Sequence, residues 1–552
     1  MASSSRPPEG RPLPSWVPLL LVVALALATT TSGLGNGFAY DDVHLVARNP
    51  AVHQISDLPA RFLETYWPDV ALGQAGRLYR PLTIVGFSMQ WALGGGAPFI
   101  FHLTNTALYL LVSLLVYAVA RRLLPVGPAT LAAVLFAVHP VHTEAVGNVV
   151  GQGELLAAAL LLAGTVVYLD SRLDRLTGAR IAGISACYLL ACFTKEHAVM
   201  WPLLLVPLGW AVPSAKSPSE TRDETLRLFL ILATELVVYL AIRQAVVGGF
   251  AGDLQHPLWR GTTFLTRAIT MLAAVPIWTR LLLWPAHLQA DYSPQEITLA
   301  HGLGPDQLLG LFLLAVLAVI FVVSVRRLPV AAAGLAWTVL AVAPVANLVT
   351  PTGIVLAERT LFLASVGLVL AVGALAAEFW RRFPAENGWG RPVVGVLALG
   401  LCLLGAARSA IRLPVWRDNT TLFGTTLVDA PKSYWAWRNW AGDLVLTDHP
   451  AEARAAYEHS LALFDRDPTV YDDLASFERR SGRCDLAVPH FRASLAIDST
   501  RYMTTSRLIG CLTVVGDYAA ARALARNAMA AGRKEFGTLL QLVDSAAGAQ
   551  PR

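Results

Sequence analysis

Apolar residues along this chain fall in long unbroken runs, separated by short polar and often basic joints, with no sustained alternation that would mark strands. Runs near the roughly 20 residues that cross a bilayer as a helix occur at 15–33, 99–120, 128–145, 154–170, 180–195, 197–213, 226–245, 304–325, 329–350, 358–378 and 392–411. The pattern predicts an all-α, polytopic membrane protein of about eleven transmembrane helices. A twelfth run, 263–284, carries Arg267 and Arg280 and ends in Trp284-Pro285. Basic loops mark the cytoplasmic side: Arg121-Arg122, the loop with Arg172, Arg175 and Arg180, the loop 214–226, Arg326-Arg327 and Arg381-Arg382. If 263–284 crossed, the last two pairs would fall outside. Leaving it out restores every loop, so it is expected to lie in the interface or to re-enter the same face. The first run follows Arg6 and Arg11 with no small-residue cleavage motif behind it, and reads as an uncleaved helix with residues 1–14 in the cytoplasm.

With this topology the polar residues of the joints collect on the extracytoplasmic side. The long first loop, 34–98, brings Asp41, Asp42 and Arg80. Later joints bring "HPVHTEAV" (His139, His142, Glu144), "TKEHA" (Lys195, Glu196, His197), "HLQADYS" (Asp291) and "AERTLF" (Glu358, Arg359). His102 and Glu154 sit at the outer ends of their runs, where a polar group is costly unless it faces a cavity. The cytoplasmic joints hold no glycine-rich phosphate loop, so chemistry is expected outside, away from nucleotides.

From about Pro431 the chain turns amphipathic and rich in alanine, with a 34-residue period: Ala453, Ala487 and Ala521; Ser460, Ser494 and Ala528; Tyr457 and Phe491; Trp440, Leu474 and Leu508. Large residues early in each unit and small ones at the helix crossing form the tetratricopeptide pattern. The division is thus a membrane domain over 15–415, repeats over 416–540 and a flexible tail over 541–552. By span parity the repeats are extracytoplasmic, either capping the membrane domain or presenting an acceptor.

The chain has 552 residues, of which 55% are hydrophobic and 15% charged, as in a multi-pass membrane protein. A formal net charge of +5 is too small to point to nucleic acid. Arginine in excess of lysine, with abundant alanine, is the composition of a GC-rich, bacterial-type genome. Of five cysteines, Cys187, Cys192 and Cys402 lie in apolar runs; Cys484 and Cys511 fall in the repeats, where spacing leaves a disulfide open. The group His139, His142 and Glu144 has no clean metal-ligand motif, so hydrogen bonding or packing is set beside a divalent metal, which is not favoured.

Seven stretches occur in order: "FAYDDVHLVARNPAV", "YRPLT" leading to "ALGGGAPFIFHLTN", "FAVHPVHTEAVGNVVGQGELLA", "FTKEHAV", "LLLWPAHLQADYS", "APVANLVTPTGIVLAERTLFLASVG" and "WRDNTTLF". With the repeats, they resemble the transmembrane-and-tetratricopeptide (TMTC-like) protein O-mannosyltransferases of the GT-C class, over about residues 33 to 530. One departure is Gln152, where an arginine is expected; the repeat array is also shorter than in the animal members. The resemblance implies a GT-C-like membrane domain and transfer of a mannosyl or other monosaccharide from a polyprenyl-phosphate donor to Ser or Thr hydroxyls of proteins, without a further cofactor. It places the site and repeats in the periplasm of a bacterium or, in a eukaryote, the lumen of the endoplasmic reticulum. Asp41 and Asp42 stand at the family's first-loop acidic motif, with Asp42 narrowly preferred as general base. Arg359 leads the candidates for the donor phosphate, with Lys195 and Arg80 next. Glu358, Glu196, His139, His142, Glu144, Glu154, Asp291 and His102 are the further candidates around the sugar and phosphate. A lipid or glycan acceptor, and a non-catalytic scaffold recruiting proteins through the repeats, are the alternatives.

Overall fold

The computed structural model describes residues 14, 16–67, 78–212, 214, 216–249, 255–292, 294–383 and 390–548. Helices supply its regular structure; no strand occurs among the described residues. The membrane region comprises α1 (Trp16–Thr30), α2 (Pro81–Gly94), α3 (Pro98–Leu123), α4 (Val126–Ala137), the short α5 (Thr143–Gly147), α6 (Gln152–Leu173), α7 (Gly178–Thr194), α8 (Trp201–Ala211), α9 (Pro218–Val247), α10 (Phe264–Leu272), α11 (Ala274–Leu283), α12 (Pro305–Arg327), α13 (Pro329–Val342), α14 (Phe362–Arg382) and α15 (Gly390–Arg412). Of residues 1–14 only Pro14 is described.

Seven helical stretches are long and apolar enough to cross a bilayer, and two bent pairs raise the number to nine. Runs 180–195 and 329–350 form shorter apolar helices, Gly178–Thr194 and Pro329–Val345, and run 197–213 contracts to the eleven residues of α8. The cause is local: the backbone leaves the helix at Lys195, which is extended at φ −156°, so residues that could lengthen a span enter a polar joint instead.

The segment 263–284 is two helices, α10 and α11, bent by 40°. Unlike the uniformly apolar α12, both are amphipathic. Both flanks touch the C-terminal helices: Arg260 Nη2 donates to Asp498 at 3.1 Å, and Ser433 Oγ to Asp291 at 2.6 Å. A bent rod whose two ends meet the same domain fits along the membrane surface better than across it.

One buried core joins α1, α3, α4, α6, α7, α8, α13 and α14. Glycines allow its closest approaches: a Cβ on Gly334 would lie 2.3 Å from the Gly367 carbonyl oxygen, and one on Gly367 would lie 2.2 Å from that of Gly334. Helices α9, α12 and α15 are mostly exposed apolar surface, suited to lipid.

Beyond α15, α16 (Asn419–Asp429) leads into α17 (Tyr434–Leu446), α18 (Pro450–Leu463), α19 (Pro468–Arg480), α20 (Cys484–Ile497), α21 (Tyr502–Val514), α22 (Tyr518–Ala530) and α23 (Phe536–Gly548). Helix starts at 434, 468, 502 and 536, and at 450, 484 and 518, keep the 34-residue period. So do the turn residues with left-handed backbone, Asp448 (φ 63°), Gly482 (φ 76°) and Gly516 (φ 84°). Ser460 Oγ donates to the Tyr434 carbonyl at 2.7 Å, and Ser494 Oγ, one period on, to that of Pro468 at 2.9 Å. Cys484 and Cys511 are joined as a disulfide, with Cα atoms 5.0 Å apart. The tail expected to be flexible from residue 541 is helical to Gly548.

Candidate active site

The bundle has two chemically different ends. At one end Arg122 Nε meets Asp170 at 2.6 Å, Arg172 caps the Gly209 carbonyl at 2.8 Å, and Lys216 reaches the Ser171 carbonyl at 2.8 Å. Helix α6 runs from there to Glu154 in its first turn, about 33 Å for its 22 residues. At that second end Lys195 follows the last residue of α7, Arg359 precedes α14, Glu144 lies in α5, and the first loop brings Asp41, Asp42 and Arg80.

Three ion pairs form here. Arg80 Nε donates to both Glu196 oxygens, at 3.1 and 3.0 Å, with its Nη2 at 2.9 Å. Lys195 Nζ sits 2.5 Å from Glu154. Arg359 binds Glu144 twice, through its guanidinium and through its backbone N–H at 2.8 Å. Burial raises the carboxyl of Glu196, but the Arg80 guanidinium outweighs it and holds the group below its ordinary range. Buried charges persist when paired and hydrogen-bonded in this way.

Asp41 and Asp42, adjacent in sequence, have separate environments. Asp42 is fully buried, and its oxygens accept the backbone N–H groups of Val149 (3.1 Å), Val150 (2.9 Å) and, more loosely, Ala39 (3.5 Å). It pins the turn that opens α6. Asp41 accepts no hydrogen bond among the described residues, and its charge is felt by Arg359, Arg80, Glu144 and Lys195. Burial pushes it up to about 6, with Arg359 and Arg80 pulling the other way. Burial also pushes Asp42 up to about 7, opposed by the Val150 and Val149 N–H groups.

The remaining candidates serve as ties. Glu358 accepts from the Gln289 N–H at 2.6 Å and the Tyr292 hydroxyl at 2.7 Å, fastening loop 285–292. Asp291 holds Ser433. His102 Nε2 meets the Gly37 carbonyl at 2.9 Å, steadying the first loop. His139 meets the Leu282 carbonyl at 3.0 Å, and His142 lies between the Tyr109 and Ser365 hydroxyls, both at 2.9 Å. No cluster of three or more His, Cys, Asp or Glu among the described residues is arranged to hold a metal ion. Gln152, where the resemblance leads one to expect arginine, joins a buried amide cluster with Gln90 and Asn105 at 2.7–3.1 Å, apart from the ion pairs.

Sequence reading missed two neighbours, Tyr66 and Tyr40, and named a third, His197, without giving it a role. Tyr66 lies with its ring 4.8 Å from the Arg80 guanidinium, a cation–π contact. His197 places Nδ1 3.4 Å from Glu154, joining the Lys195 pair. Tyr40, beside the aspartates, has φ 52°, unusual for a bulky residue. For Tyr66 the available signal is its place in the aromatic "ETYWP" of an otherwise polar loop; Tyr40 and His197 sit inside motifs already singled out.

Apolar helices running between a basic end and an end with a buried, networked ionic cluster define a polytopic helical membrane protein with its polar site at one mouth of the bundle. No family model matches the chain. It is similar to the protein O-mannosyl-transferase TMTC3 of Mus musculus, 26% identical over 475 residues, covering 80% of this chain and 50% of that one. The corresponding Tmtc2 of Drosophila melanogaster is 33% identical over 285 residues, half of this chain and 30% of that one. The chain is similar to TMTC proteins over most of its length, and spans about half the length of the curated relatives it matches. Among solved structures, an Archaeoglobus fulgidus oligosaccharyltransferase tethered to an acceptor peptide aligns at a TM-score of 0.42 and 12% identity, over 77% of this chain and 57% of that one.

Proposed function

We propose that the chain is a membrane glycosyltransferase that moves a mannosyl residue, or another monosaccharide, from a polyprenyl-phosphate donor to Ser or Thr hydroxyls of proteins, with Asp41 as general base. The observation that carries this reading is the unbonded Asp41 carboxylate set among Arg359, Arg80 and Lys195. A hydroxyl is a poor nucleophile until a carboxylate takes its proton as attack proceeds. The sugar carbon passes through an oxocarbenium-like state, and the departing lipid phosphate needs cations aimed at it. Asp41 supplies the first. The three cations supply the last, with Arg359 suited by its planar fork to phosphate oxygens. Asp41 is set before Asp42, which the sequence narrowly prefers, because backbone N–H groups already bond both Asp42 oxygens.

Three observations support the other parts. The relatives are named protein O-mannosyl-transferases. An apolar groove of about 400 Å³ between α8, α12 and α13, lined by Leu203, Trp210, Phe321 and Leu340, lies towards the basic end of the bundle, where it suits the far part of an isoprenoid tail whose phosphate sits at the other end. Basic residues gather at the far end of the bundle, which by the positive-inside rule turns the site and the 34-residue helical hairpins, read as tetratricopeptide repeats, to the extracytoplasmic side. Cations rather than a bound metal neutralise the phosphate in this scheme, so turnover is expected to survive EDTA.

The test is reconstitution of the full chain with polyprenyl-phosphate mannose and a Thr-containing peptide, followed by intact-mass analysis. A hexose increment on the peptide is expected, and Asp41→Asn should reduce its rate by about a hundredfold or more. No increment from any polyprenyl-phosphate sugar would leave the chain a scaffold.

A further inference from the structure

The segment carrying Asp41 is held by the base of the repeat region. Residues 32–40 run beside 410–419: Ser32 Oγ donates to the Ala410 carbonyl at 2.8 Å, Asn36 Nδ2 to that of Leu413 at 3.0 Å, and the Gly37 N–H to that of Arg417 at 2.8 Å. The strap ends at Tyr40. Its backbone N–H donates to Asn419 Oδ1 at 2.7 Å. Its ring meets Trp435 edge-on, with centroids 4.8 Å apart, and Phe423 at 6.3 Å. These partners come from α16 and α17, the entry to the repeats.

Left-handed backbone at a bulky residue persists only where surrounding contacts impose it. Here the contacts are the Asn419 carbonyl and the aromatic socket, and the residue so forced immediately precedes Asp41. An ordinary extended conformation at Tyr40 would send the chain, and the carboxylate after it, in another direction.

We propose that Tyr40 and Asn419 are positioning residues: a clamp through which the repeat region sets the direction of the Asp41 carboxylate, so that the repeats are part of the catalytic apparatus as well as a surface for acceptors. The proposal rests on the reading of Asp41 as general base. The charged and titratable groups facing Asp41 are Arg359 and Glu144, Arg80, Lys195, and its neighbours Tyr40, Asp42 and Tyr66. None of these is altered by a change at Asn419.

The full chain in nanodiscs, with polyprenyl-phosphate mannose and a Thr-containing peptide, provides the test. Asn419→Ala removes the acceptor from Tyr40. It leaves the helix cap intact, because Asp418 accepts the Thr421 N–H at 2.8 Å. The expected result is a fall in kcat of about tenfold or more, little change in KM for the lipid donor, and an acid limb of the kcat–pH profile moved to lower pH as water reaches Asp41. Asn419→Asp, which keeps an acceptor but adds a charge near Asp41, should restore most of kcat well above neutral pH and move the acid limb upward instead. Asp418→Ala, which weakens the helix and spares the clamp, should lower the melting temperature without moving the pH profile. Tyr40→Asn tolerates left-handed backbone and loses the ring, so an intermediate loss is expected, and it serves if Asn419→Ala fails to fold. Unchanged kcat and pH profile in both Asn419→Ala and Tyr40→Asn, with Asp41→Asn inactive, would overturn the clamp and leave the base assignment standing. Full activity of Asp41→Asn would overturn both.

Discussion

A carboxylate that is to take a proton from a hydroxyl must keep a lone pair for it, and at this site the bookkeeping of hydrogen bonds separates two neighbours that sequence cannot. Asp42 fastens Val149 and Val150; Asp41 accepts no hydrogen bond among the described residues. Asp42→Asn exchanges an oxygen acceptor for a donor opposite a backbone N–H. The bonds lost cost about 1–3 kcal/mol, but the charge lost is one that burial already disfavours, with the carboxyl raised to about 7, so the fall in melting temperature should be full near pH 4 and shrink towards pH 7.5. Asp41→Asn loses no such bond. Its carboxyl is raised from the ordinary 3.8 to about 6, so ionisation opposes folding at neutral pH by roughly 3 kcal/mol. Removing the charge should raise the melting temperature at pH 7.5, and the gain should fade as pH falls through 6 towards 4, where the native carboxyl is itself protonated. As the proposed base the same group must be ionised, so on that proposal wild-type turnover should decline below about pH 6. A flat profile between pH 5 and 7.5 would exclude Asp41 as the base. Arg359→Lys should recover part of the turnover lost in Arg359→Ala, since it keeps the charge and loses the fork.

Among the elements, most helices were legible in the sequence because long apolar runs have few other folds open to them. Their ends were not. Lys195 and Arg359 were placed at joints, but which carboxylate each cation meets depends on partners far away in the chain, as with Arg359 and Glu144, and no local pattern carries that. The helices at 178–194, 201–211 and 329–342 are shorter than their apolar runs for the same reason: hydropathy does not show where a run bends into a site. The 34-residue period was legible throughout, because each unit repeats its own neighbour's contacts. One irregularity within it yields a prediction. Asp448 occupies the left-handed turn position that Gly482 and Gly516 fill in the next units. Asp448→Gly should therefore be neutral or slightly stabilising, while Asp448→Val should destabilise by about 1–2 kcal/mol, measured as thermal unfolding of the full chain.

At the scale of the whole molecule, the amphipathic pair α10–α11 decides how the chain is threaded. If it lies along the surface, loops 255–263 and 285–303 share a face with the repeats, and Arg260–Asp498 and Asp291–Ser433 are contacts between parts of one compartment. If it crosses, one of those contacts must be made through a membrane, which is impossible for side chains of this reach. The geometry thus ties the side of the repeats to the side of the site without any appeal to charge bias. A cysteine introduced in 294–303 should react with a membrane-impermeant maleimide from the same side as one placed on the repeats at Thr500, and one introduced at Asp223 only from the opposite side. Labelling of 294–303 from the Asp223 side would make α10–α11 a true span and detach the docked repeats from the mouth where Asp41 lies. Labelling as expected would put repeats, loop and ionic cluster in one compartment, the arrangement that the proposed transfer to an acceptor at Asp41 requires.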